Sequence, residues 1–253
     1  MIPLLTGAVA GLVAGGRAWP LAPLTIAVLA LFGLRTPAEN WMGTVPTRAR
    51  TPSEVRLVRT TVFVLAAIAS AALIVLFWGR HNLSLLWIGA VAVAAFLGQA
   101  VIRRTWRGAR MAAQLVGAAG LTAVAPAAYY AVTNHWNRTA GSLWVLNLLF
   151  AANQIQFVQL RIHAANAKLR AEKRSAGQAF LVAQLLLIVT LAAGGVARFW
   201  NGWVAAAFLP VLWRGFAWFF ARFRPLVVFR LGKSELAHAI AFGALLILAL
   251  TFR

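Results

Sequence analysis

The chain has 253 residues, 62% of them hydrophobic and only 11% charged, with a net charge of +20 and no cysteine. A soluble domain carries roughly 25% charged residues, so the composition excludes an ordinary water-soluble globule. The missing thiols exclude disulfides, thiolate metal sites, iron–sulfur clusters and cysteine nucleophiles. There is no Asp either, and the whole acidic complement is Glu39, Glu54, Glu172 and Glu235, all beside basic segments.

A helix needs about 20 residues, at about 1.5 Å each, to cross the hydrocarbon core of a bilayer. On that measure the apolar stretches, in chain order, are 2–16, 18–34, 61–79, 84–101, 112–133, 141–160, 177–197, 204–220 and 234–252. They predict an all-α fold, a polytopic transmembrane helical bundle of about nine helices in a single integral-membrane domain spanning 1–253. Nineteen of the 24 Lys and Arg fall within 35–59, 103–110, 161–174 and 214–233, and the other five are spread singly over the alternate gaps and the C-terminus. Short loops rich in Lys and Arg stay on the cytoplasmic side. The N-terminus is therefore expected in the cytoplasm and the C-terminus outside. Because the charge lies in short loops and not on one face of a soluble module, no nucleic acid is expected as a partner. The expected partners are membrane lipids, with anionic head groups at the cytoplasmic face.

The first stretch carries Gly7-x-x-x-Gly11-x-x-x-Gly15, a stripe that lets a neighbouring helix approach closely in lipid. It starts without a basic leader, so no cleaved signal peptide is expected, and its abruptness predicts a natural start upstream of Met1. Trp19, Trp78, Trp87, Trp136, Trp144, Trp200 and Trp203 fall at predicted outer ends, and Trp41 and Trp106 at inner ends, as the interfacial preference of indole requires. Asn82-Leu83-Ser84 and Asn137-Arg138-Thr139 are glycosylation-type triplets in outer loops, too short and common to carry weight. His81 and His135 read as solvated loop residues.

Polar residues inside the apolar stretches need partners. Asn153, Gln156, Gln159 and His163 are spaced by 3, 3 and 4, which at about 100° per residue puts them on a third of the helix circumference. Each alone fits an interhelical hydrogen bond. Together, and continuing to Arg170, they point to a polar wall lining a cavity open to the cytoplasmic side, with Asn147 and Gln154 off that face. Arg214 lies in the eighth stretch, where it serves either as a functional intramembrane charge or as a side chain snorkelling to the interface. Its expected anionic partner is Glu235, with His238 at i+3 on a related face. As a proton relay or metal site that pair lacks further ligands, so a capping or salt-bridging Glu235 is the simpler expectation. Glu39 and Asn40 follow the second stretch and could meet the polar stripe, while Glu172 pairs among its basic neighbours.

Phe208-Leu209-Pro210 with Leu212 and Arg214, then Arg224-Pro225-Leu226, then Leu231-Gly232-Lys233-Ser234-Glu235-Leu236, together with the basic stretch Arg161–Arg174, form a further pattern. Over roughly the last 110 residues it resembles the YwiC-like family of bacterial integral membrane proteins. The resemblance implies the bacterial cytoplasmic (inner) membrane and a UbiA-like arrangement of helices. It implies no established activity. UbiA-type prenyltransferases hold a prenyl diphosphate through Mg²⁺ on two Asp-rich motifs. The corresponding segments here, 35–43 and 153–170, offer only Glu39 and Asn40 as oxygen ligands in the first and no carboxylate in the second. No metal and no cofactor are therefore expected. Arg48, Arg50, Arg161, Arg170 and Arg174 are the residues that could meet a phosphate directly. The expected function is binding of an isoprenoid, quinone or other lipid-like ligand in the cavity. A membrane prenyltransferase-like enzyme and a small-solute transporter using Arg214, Glu235 and His238 are the alternatives.

Overall fold

A computed structural model of the chain describes residues 1–43, 51–80, 84–106, 108–166, 170–221 and 227–251. The regular elements among them are α1 (Ile2–Val13), α2 (Leu21–Trp41), α3 (Pro52–Arg80), α4 (Ser84–Thr105), α5 (Arg110–Thr122), α6 (Val124–Thr133), α7 (Arg138–His163), α8 (Arg170–Val196), α9 (Val204–Phe220) and α10 (Val228–Thr251), with a 3-10 turn at Ala164–Asn166. With α5 and α6 taken as one span, seven helices are long and apolar enough to cross a membrane, and α1 and α9 are shorter apolar helices. The chain is an all-α, multi-pass membrane protein.

The nine apolar stretches all become helix, but the ends differ for local reasons. α3 starts nine residues before the predicted 61, because Thr51-Pro52-Ser53-Glu54 is a capping box. Glu54 N–H donates to Thr51 Oγ1 at 3.3 Å, Thr51 N–H donates to Glu54 Oε2 at 3.1 Å, and Pro52 occupies the first helical position, where no N–H is needed. α8 and α10 likewise start earlier than the apolar pattern does. Lys, Arg, Glu and Ala are good helix formers, so these helices run on past the apolar stretch. The stretch 112–133 divides at Ala123. Pro126 lacks an N–H for Thr122 and its ring crowds that carbonyl, so the chain restarts there. α1 ends at Val13, short of the predicted 16, and at 12 residues it is about 18 Å long.

Hydrogen bonds and ion pairs sort the helix ends into two groups. At one end, Glu39 of α2 meets Arg103 of α4 at 3.5 Å, Gln159 of α7 meets Gln114 of α5 at 3.2 Å, and Lys173 of α8 meets the end of α9. At the other, Arg17 N–H donates to Val132 O of α6 at 3.0 Å, Ser142 of α7 donates to Phe199 O at 2.8 Å, and Asn201 donates to Ala249 O of α10 at 2.7 Å. The described parts of the four basic clusters thus share one end of the bundle, called the basic end below.

α1 lies beside α6, running parallel to it. A Cβ built on Gly7 would collide with the backbone of Ala125, standing 2.9 Å from its carbonyl carbon, and one on Gly11 would stand 2.9 Å from Val132 Cβ. The third glycine of the motif plays another part. Gly15 has φ +82° with nothing within 4 Å, so it provides the left-handed turn after the helix, and Gly16 takes the contact with Val132 instead. Around this pair α7, α9 and α10 form the main core, where Phe242 stacks on Phe150 with ring centroids 4.0 Å apart and meets Phe208 edge-on at 5.1 Å. Elsewhere Phe32, Val64, Trp87, Val189, Leu209, Trp213 and Ile240 are exposed, a surface suited to hydrocarbon and not to water.

Trp19, Trp41, Trp78, Trp87, Trp106, Trp136 and Trp203 are exposed near helix ends, as the sequence predicts. Trp144 and Trp200 instead turn inward. Trp144 donates to Ala119 O of α5 at 3.0 Å, and Trp200 donates to Leu191 O at 3.0 Å over Gly194.

The close α1–α6 contact predicts that Gly7→Val lowers stability by about 1–3 kcal/mol through overpacking. Gly89→Val, where nothing lies within 4 Å, should change it little. Thermal unfolding in detergent compares the two.

Candidate functional site

Arg214 sits two turns from the basic end of α9, and its guanidinium turns into the bundle. Nη1 donates to Glu235 Oε2 in an ion pair, Nη2 donates to Asn153 Oδ1 at 3.2 Å, and the group lies 4.0 Å from the Phe157 ring centroid. The Arg214 and Glu235 side chains are 8% and 13% exposed, which rules out snorkelling. Gln154 adds a donor to Glu235 O at 3.4 Å. One cationic side chain of α9 therefore joins α7 and α10. Among the described residues Arg214 Nε and Glu235 Oε1 are buried without a hydrogen-bond partner, so the pair keeps one free donor and one free acceptor there. His238 does not complete a relay with Glu235. Its Nδ1 lies 2.7 Å from Ser234 O, and since a carbonyl only accepts, that nitrogen carries the proton.

The polar stripe of α7 divides among different neighbours. Asn153 is buried against Arg214. Gln159 donates to Gln114 Oε1 of α5. His163 is exposed and folds back to Gln159 O at 2.7 Å. Gln156 is half-buried and makes no hydrogen bond among the described residues. It lies 11 residues from Val145, almost in register at about 100° per residue, and Val145 is 41% exposed. That face of α7 therefore looks outward between α5 and α8, both of which pack on α7. Arg161 is half-buried and, five residues from Gln156, points well away from it. Arg170 begins α8; its side chain, and Arg48, Arg50, His81, Asn82, Leu83 and Arg224–Leu226, lie outside the described residues.

Glu39 belongs to a different cluster. Arg35 Nε donates to it at 3.3 Å and Arg103 Nη1 approaches to 3.5 Å, while Arg35 also donates to the buried Gln99 at 3.1 Å. α2 packs on α3 and α6, and α7 on α1, α5, α6, α8, α9 and α10, so Glu39 is set against α4 at the basic end. Asn40, half-buried beside it, accepts at its carbonyl from Gly43 N–H at 3.0 Å. Among the described residues no three His or Glu gather as a metal site.

Two further buried polar residues, Lys173 and Gln184, have surroundings that the sequence does not reveal. Lys173 reads as one more charge of a basic loop, yet its Nζ donates to Trp218 O and Ala221 O, both at 2.6 Å, and lies 4.7 Å from the Trp218 ring centroid. It closes the C-terminal carbonyls of α9. Gln184 is fully buried on α8 with both amide atoms unpartnered, seated over Gly215 where any Cβ would strike it. Its one sequence signal is an amide in the middle of an apolar stretch.

The family model of YwiC-like proteins matches residues 1–129, just over half of the 253. The chain belongs to the YwiC-like family. The match runs from α1 into α6, whereas the sequence resemblance rested on the C-terminal part. No curated protein and no solved structure matches this YwiC-like chain.

In the YwiC-like chain the Arg214 cluster is a polar layer inside lipid, where an unpaired charge is far costlier than a paired one. Arg214→Met or Glu235→Leu alone should cost about 3–5 kcal/mol of stability, and the double substitution should recover most of it. Chemical denaturation in mixed micelles measures all three. Lys173→Met should cost about 1.5–3 kcal/mol, the range for hydrogen bonds to a charged group, by the same measurement.

Proposed function

We propose that this YwiC-like membrane protein binds an isoprenoid, quinone or other lipid-like ligand, with the polar head at the basic end of α7 and the tail in the bilayer. The observation that supports the reading is the outward face of α7 between α5 and α8. There Gln156 keeps its whole amide free, Gln159 and Gln114 are half-buried, and apolar surface continues beyond them toward Val145. A polar patch that opens sideways into hydrocarbon suits an amphipathic molecule better than a water-borne solute. On this reading the site is lateral and not a closed inner cavity. The basic end faces the cytoplasm of a bacterium, and anionic head groups surround it.

Asn153, Arg214 and Glu235 stand behind this face. Their role here is to hold α9 and α10 against α7, so that the groove keeps its shape. The helix order is read as UbiA-like, but the groove offers a ligand hydrogen bonds and no carboxylate set for a metal, so binding without Asp and Mg²⁺ chemistry is the function proposed.

Native mass spectrometry of gently extracted protein should show a retained lipid-like molecule. Replacing Gln156 and Gln159 together by Leu should reduce retention by about fivefold or more, the worth of one or two hydrogen bonds. Protein that carries no such molecule, or a double variant that retains it fully, would contradict the reading.

A further inference from the structure

We infer that the head group taken by the α5–α7–α8 groove is uncharged and carries a carbonyl or hydroxyl, as in a quinone- or polyprenol-class lipid, and that a prenyl diphosphate is refused. This inference rests on the reading of the groove as a ligand site and adds the charge class of its occupant.

A phosphate drawn below the head-group layer needs a cation that is buried with it and not already compensated. The two buried cations described have their charge engaged elsewhere. Arg214 is paired with Glu235 and bonded to Asn153. Lys173 is held by two carbonyls of α9 and by the face of Trp218. Farther out, Arg35 and Arg103 converge on Glu39, on α2 and α4 and away from the groove. Arg110, one turn beyond Gln114, and Arg174, near the start of α8, are both exposed at the basic end, and Arg161 points away from Gln156.

Among the described residues the groove itself offers neutral groups. Gln114 Oε1 is taken by Gln159 Nε2, leaving the Gln114 NH₂ as donor and the Gln159 oxygen as acceptor. His163 turns Nδ1 to Gln159 O, which puts a proton on that nitrogen and, in the neutral ring, leaves Nε2 as an acceptor. Gln156 contributes both kinds. Such a set matches a group that both gives and takes hydrogen bonds without net charge. Two ionised phosphates there would meet amide dipoles alone, with their hydration lost.

The experiment uses the full chain in phosphatidylcholine nanodiscs, titrated with farnesol, a short-chain ubiquinone and farnesyl diphosphate, and read by native mass spectrometry and thermal shift. The uncharged probes should bind at least about tenfold more tightly than the diphosphate. Gln156→Leu should weaken the uncharged probes by about fivefold or more at unchanged unfolding temperature without ligand, and Gln156→Lys should turn the preference toward the diphosphate. Diphosphate binding as tight as that of the alcohol or quinone, or phosphatidylcholine retained in place of both, overturns the charge assignment while leaving a lipid-binding groove. If no probe binds and no lipid is retained, the groove is not a ligand site and both readings fall.

Discussion

Hydrocarbon supplies no hydrogen bonds, so a polar group that this chain carries into the bilayer is costly unless another part of the chain answers it. The consequence is clearest at Arg214. Its ion pair with Glu235 and its bond to Asn153 link three helices far apart in sequence, and Gln154 adds a bond from α7 to the α10 backbone. Hydrophobic burial distinguishes poorly between helix faces when the solvent is itself apolar. A paired charge does distinguish them, because any rotation of α9 that exposes the guanidinium to lipid leaves two charges uncompensated. The register of α7, α9 and α10 follows from that requirement.

A second means of association needs no polar group. Where α1 meets α6, two glycines remove the side chains that would hold the backbones apart, and the gain is dispersion over a close contact. α1 is too short to cross on its own, yet it packs against α6, α7 and α10. The two devices operate at different places. Small residues bring α1 against α6, and charge aligns α9 and α10 with α7, so α7 is the helix on which both halves depend.

The spans were legible because hydrophobicity needs no partner to be read, and so was the Arg214–Glu235 pairing, since Arg214 is deep and Glu235 is one of only four acids. The Thr51–Glu54 capping box was legible in principle but masked by the apolar criterion, which starts a helix where charge ends. What was hidden depended on which helix faces which. A 100° periodicity placed Asn153, Gln156, Gln159 and His163 on one face without saying that the face spans the territories of α9 and α5. Lys173 was indistinguishable in composition from its basic neighbours, because its role is set by the carbonyls at the end of α9. Trp144 sat where an interfacial indole belongs, and only the carbonyl of Ala119, at the turn before the Pro126 break, drew it inward.

On the proposed reading, the division of the α7 stripe also separates scaffold from recognition. Asn153 is committed to Arg214 and Gln159 is half committed to Gln114, whereas Gln156, between them, is committed to nothing. At membrane depth an idle donor and acceptor are a cost, which the fully buried Gln184 bears whole. Gln156 escapes part of that cost only by being half-exposed at the groove. Since the charge of Arg214 is already compensated by Glu235, a ligand arriving at Gln156 has no need to break the ion pair, and the bundle can be the same with the groove empty or filled. That independence is what a binding site on a rigid scaffold requires, and it contrasts with a transport pathway through Arg214, in which the pair itself would have to open.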